Sequence, residues 1–132
     1  MDNPSLKKNI VSHMYSSLFS EFLESNSLIL LTPMGVIKGK PVDVKEALDK
    51  VSKNTDFSKL SSSEISCGAI AQLTENAADE YQKEFSISFP LKGNDGYIIL
   101  KNVTFDNSNK SYNLPALVVF FDQIIGITIA NI

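Results

Sequence analysis

The sequence contains no arginine and no tryptophan, and it has a single cysteine, Cys67, and a single histidine, His13. Each scarcity removes a class of chemistry. Without arginine, no planar guanidinium can grip a phosphate or a guanine edge through two parallel hydrogen bonds. The 12 basic residues are all lysine and face 15 carboxylates, for a formal net charge of −3, a balance that disfavours tight nucleic-acid binding. One cysteine cannot close a disulfide within the chain, one histidine rules out a histidine-rich metal site, and the missing tryptophan takes away the best cation–π platform. Long apolar runs are absent too. Leu28 to Leu31 and Leu117 to Phe121 fall far short of the roughly 18 consecutive apolar residues of a spanning helix, so no membrane partner is expected.

What remains is an ordinary balance: 132 residues, 43% hydrophobic and 20% charged, enough for one core and one domain over 1–132. The opening Met1 to Lys8 is polar and carries neither a secretory pattern nor a lipidation motif, which leads to the expectation of a cytoplasmic protein. Asn3 before Pro4 reads as a helix start, and Leu6, Ile10, Met14, Leu18 and Phe22 recur every fourth position, which predicts a helix over 4–25. Its apolar arc is broad, wider than packing on one sheet demands. Leu28 to Leu31, the break at Thr32 to Gly35, and Val36 to Lys40 predict a β-hairpin over 27–41. Asp43 with Glu46 forms a capping-box-like pair for a short helix ending near Lys53, and a second helix is expected from Glu64 to about Gln82. The segment 42–84 is thus read as a mainly helical insertion.

From Glu84 the period changes to two. Phe85, Ile87 and Phe89 alternate with Ser86 and Ser88, and strands are expected over 85–130, with turns at Gly93 to Gly96, Asp106 to Asn109 and Asp122 to Gln123. The fold class that follows is α+β: an N-terminal helix, then a small, strongly bent antiparallel sheet or partly open barrel, with the helical insertion after the first hairpin.

Within this layout, Gly35-Val36-Ile37-Lys38-Gly39 resembles the glycine pair of the first Sm motif, Asp95 to Val103 resembles the strand that follows it, and Val119 to Ile124 sits where the second motif would be. Over 27–40 and 95–130 the chain therefore resembles the Sm-like (LSm) and SH3-like small barrels. Tyr97 stands where that family has an RNA-reading Asn, and Phe120-Phe121 replaces its Arg-Gly pair. Sm-like proteins form rings by pairing strands edge to edge, so the resemblance implies self-assembly more than uridine reading.

Two functional classes follow. The first is a non-catalytic, self-assembling module with no cofactor, whose contact surfaces are Ile10, Met14, Leu18 and Phe22 on the first helix and Phe120, Ile125 and Ile127 near the C-terminus. Its Sm-like form adds weak single-stranded RNA contact through Lys38, Lys40 and Tyr97, lysines for the backbone and the phenol for stacking. The second class is a small hydrolase or divalent-metal enzyme built on the helix carboxylates Glu75, Asp79, Glu80 and Glu84 and on Cys67; His13, on the polar side of the first helix, reads as a solvated side chain.

Overall fold

A computed structural model describes residues 3–52, 56–89 and 91–131. Among these the chain forms three α-helices and five antiparallel strands in a single open sheet, an α+β arrangement. The first helix, α1, covers Leu6–Ser17, shorter at both ends than the predicted 4–25. Ser5, not Asn3, caps it: its hydroxyl accepts from the Lys8 amide at 3.0 Å. Asn3 and Pro4 lie alongside Gly93 instead, through Gly93 N–H to the Asn3 carbonyl at 2.9 Å and Ser5 N–H to the Gly93 carbonyl at 3.0 Å. At the other end, Ser17 turns its hydroxyl onto the Met14 carbonyl at 2.7 Å, and Ser20 caps a 3₁₀ turn over Glu21–Leu23. Serines competing for backbone groups end the helix while the apolar spacing runs on.

The hairpin forms as expected, from β1 (Ser27–Thr32) and β2 (Gly35–Pro41) in the register Leu28↔Gly39 to Thr32↔Gly35. Thr32 organises the turn, its Oγ1 accepting the Met34 and Gly35 amides at 3.2 Å. Gly35 has φ +152°, and a Cβ there would lie 2.3 Å from the Asp106 carbonyl oxygen, so this position requires glycine.

Two helices separate β2 from β3. The first, α2 (Val44–Val51), is capped by Asp43, which accepts from the Glu46 amide at 3.2 Å. The second, α3 (Ser62–Phe85), opens on a full capping box in which Ser61 and Glu64 exchange hydrogen bonds, at 3.1 and 3.0 Å. The helices meet at Gly68, where a Cβ would come within 2.4 Å of Val51. Lys53 lies outside the described residues. The alternation from Phe85 to Phe89 does not make a strand. Phe85 is the last residue of α3, Ser86 takes a left-handed conformation (φ 52°), and Ile87 donates to the Gln82 carbonyl at 3.0 Å. Period two is only a preference for a half-buried face, and among the described residues no strand comes alongside this segment to use it.

The sheet resumes with β3 (Tyr97–Asn107) and β4 (Lys110–Phe120), a hairpin of two long strands, followed by a 3₁₀ turn over Phe121–Gln123 and β5 (Gly126–Ala130). The strand order is β4-β3-β2-β1-β5, so β1 lies between its hairpin partner and the last strand. Between the pairs Lys38↔Thr104 and Lys40↔Lys101, Gly39 faces both Asn102 and Val103, and Asn102 has φ 52°. This is a bulge, the device that bends a strand pair. The proline of β4, Pro115, falls between the ladder pairs on either side of Asn102, so its missing amide hydrogen is tolerated. The core is built on Leu28, Leu30, Leu100, Val103 and Ile124, closed on one side by Val11 and Leu18 from the α1 segment. No helix among the described residues is long and apolar enough to cross a membrane.

Candidate functional site

Strand order determines which surfaces stay open. β4 and β5 are the two margins of the sheet, and among the described residues neither has a strand on its outer side. Such margins present rows of unpaired amides and carbonyls, the template for adding another chain. Large apolar side chains stand beside both. Phe120 closes β4 and is 54% exposed, while Ile125 precedes β5 and is 69% exposed, next to the exposed Leu31. Ile125 is held there by its amide, which donates to the Leu31 carbonyl at 2.8 Å.

The seven residues expected at a subunit contact therefore divide. Ile10, Phe22, Phe120 and Ile125 are exposed, Phe22 at 94%. Met14 and Ile127 are half-buried and packed against the core, and Leu18 is part of the core. Helical spacing placed Leu18 on the outward arc, but the helix ends one residue before it and the chain turns it inward.

The three residues expected to contact RNA are not brought together. Lys38 is opposite Thr104, whereas Tyr97 is opposite Phe120 at the other end of β3, roughly 20 Å away at the rise of a strand. Lys40 turns its ammonium back onto the Glu24 and Asn26 carbonyls, at 2.7 and 3.0 Å. Tyr97 is half-buried and donates its hydroxyl to Glu75 at 3.0 Å. Burial, then the Glu75 carboxylate it donates to, holds its phenol well above the usual tyrosine range.

Of the residues of the enzymatic alternative, Glu75 and Asp79 share one cleft, whereas Cys67 lies in a different cavity. Among the described residues, no three of His, Cys, Asp and Glu approach closely enough to hold a metal ion. Cys67 sits on α3 in a small cavity of about 220 Å³ beside Lys50, Glu64 and Lys101. Burial pushes its thiol up, and Lys101 and Lys50 only partly oppose this. Lys50 is itself held by Glu64 at 3.2 Å and Glu46 at 3.6 Å. His13 is exposed on α1 and does not face this cavity.

A further site lies between α1, α3 and the start of β3, and it brings together Glu75, Asp79 and Tyr97, which the sequence pattern assigns to two different functions. It is a cleft of about 670 Å³, with Ser12 and Ser16 on one helix and Glu75 and Asp79 on the other. At its end Lys8 is buried, its ammonium enclosed by the Leu91 and Asp95 carbonyl oxygens and lying 5.5 Å from the centre of the Phe121 ring. Burial lowers the Lys8 pKa, and the Asp95 carboxylate partly restores it. Deeper in, the Tyr15 hydroxyl lies 2.9 Å from the Ile99 carbonyl and 3.0 Å from that of Val42, fastening α1 to the sheet. The spacing Lys8, Ser12, Ser16 is one helical face and could have marked a polar wall; the opposite wall comes from residues far along the chain.

No family model matches the chain, and neither does any curated protein or solved structure.

Proposed function

We propose that the chain is a non-catalytic module that assembles with copies of itself through the two margins of its sheet, in the manner of Sm-like rings. The observation that carries the reading is the pair of open strands, β4 and β5, each with a large exposed apolar side chain at its end, Phe120 and Ile125. A ring needs two different surfaces that complement one another, and a sheet with two unlike margins supplies them. In this assembly, contact with a single-stranded polyanion falls to Lys38, because Lys40 and Tyr97 engage their polar ends within the chain. A single lysine per subunit gives weak binding that salt removes.

Light scattering coupled to size exclusion tests the reading. A closed oligomer of several subunits is expected. A folded chain that stays monomeric at about millimolar concentration, where even contacts near the weak end of the affinity scale form, would overturn it.

A further inference from the structure

We propose that the cleft between α1 and α3 binds a small organic amine carrying an apolar or aromatic body. Every wall of the cleft itself belongs to one chain, so the inference goes beyond self-assembly, although the apolar chamber beside the cleft shares Phe120 with the proposed contact.

Part of the space comes from small side chains on the two helices. Ser12 and Ser16 on α1 and Ala78 on α3 help leave about 670 Å³ between the elements, within the roughly 300–1,000 Å³ typical of ligand sites. Facing helices that only needed to pack would close such a gap with apolar side chains. Here the two helices present the hydroxyls of Ser12 and Ser16 and the carboxylates of Glu75 and Asp79, while Phe89, Leu91 and Ile98 supply apolar wall elsewhere.

The charge of the lining selects the ligand. It holds two carboxylates, Glu75 and Asp79, against one ammonium, that of Lys8. The Lys8 donors already point at two backbone carbonyls. Glu75 accepts one hydrogen bond, from Tyr97, and keeps lone pairs to spare, while Asp79 accepts none among the described residues. An anion entering here would meet both carboxylates, whereas an ammonium would be drawn to them. Burial, and after it Glu75 and Asp79, raise the phenol of Tyr97.

The body of the ligand is set by the adjoining space. Along a border formed by Ala78, Phe89 and Tyr97, the cleft meets a second, apolar chamber of about 440 Å³ lined by Ala77, Tyr81 and Phe120. At its rim, Leu73 is 69% exposed. A cleft with carboxylates on one helix and Phe89, Leu91 and Ile98 in its lining, flanked by an apolar chamber, suits a molecule with a charged head and a greasy tail.

Titration calorimetry with 4-phenylbutylamine, and with 4-phenylbutanol as its uncharged counterpart, tests this. Saturable binding of one amine per chain is expected, with the alcohol about tenfold weaker or worse, as loss of a charge-assisted hydrogen bond implies. Asp79→Asn should weaken the amine by a similar factor, and Ala77→Trp, which fills the apolar chamber, should weaken both compounds. No saturable binding below about 10 mM, equal binding of amine and alcohol, or variants that bind as the parent does would each overturn the proposal. If either variant fails to fold by circular dichroism, the comparison of amine with alcohol on the parent chain still decides.

Discussion

The ammonium of Lys8 lies over the ring of Phe121 and donates to the carbonyls of Leu91 and Asp95, so one side chain joins α1, the loop before β3 and the turn after β4. Replacing it by methionine keeps the stem but leaves two carbonyls without their donor. Each unsatisfied group costs about 1–3 kcal/mol. Lys8→Met should therefore lose at least about 2 kcal/mol of unfolding free energy, read as a lower urea midpoint with an unchanged slope.

Tyr97 makes stability fall at alkaline pH. Its phenol holds a proton more tightly in the folded chain than at its ordinary value of 10.0, so the stabilisation is complete below that pH and is lost as pH rises through the higher folded value. Tyr15 acts in the same sense, while Lys8, whose pKa is lowered, acts in the opposite one. The comparison with Tyr97→Phe isolates one term: the variant's melting temperature should fall less steeply above pH 10 than the parent's.

Gly35 should not tolerate a side chain. Alanine there would combine a φ of +152° with a Cβ 2.3 Å from the Asp106 carbonyl oxygen. The clash is with backbone, so the β1–β2 turn or the end of β3 must move. We expect Gly35→Ala to cost about 2 kcal/mol or more, measured by thermal denaturation. A melting point equal to the parent's would refute this.

Phe120 and Ile125 should control assembly without controlling the fold. Both are largely exposed, so Phe120→Lys or Ile125→Lys should change unfolding free energy by less than about 0.5 kcal/mol in the isolated chain. In the assembly the same charge would be placed against an apolar surface. Light scattering should show dissociation with either variant, while circular dichroism stays unchanged.

Local chemistry was readable where neighbouring residues settle it. The Asp43 and Glu46 cap of α2 and the β1–β2 hairpin follow from residues a few positions apart. The start of α3 was written in the same way, as Ser61 followed by Glu64, but the serine-rich surroundings hid the capping box. The Phe85 to Phe89 alternation misled because strand identity depends on a partner, and the helix simply runs further. The Lys8 cage and the α1–α3 cleft could not be foreseen, since Leu91, Asp95, Glu75 and Asp79 reach α1 only through the completed fold.

The α2–α3 insertion has a kinetic consequence. β1–β2 and β3–β4 are hairpins that can form from adjacent chain, but β2 must find β3 across the whole of 42–96. Closing so long a segment is an entropic barrier, and such remote pairings slow folding. Contact of Gly68 with Val51 draws α2 and α3 together and shortens the path the ends must search. The helical pair then works as an internal clamp, and the speed with which the two hairpins merge depends on how early that clamp shuts.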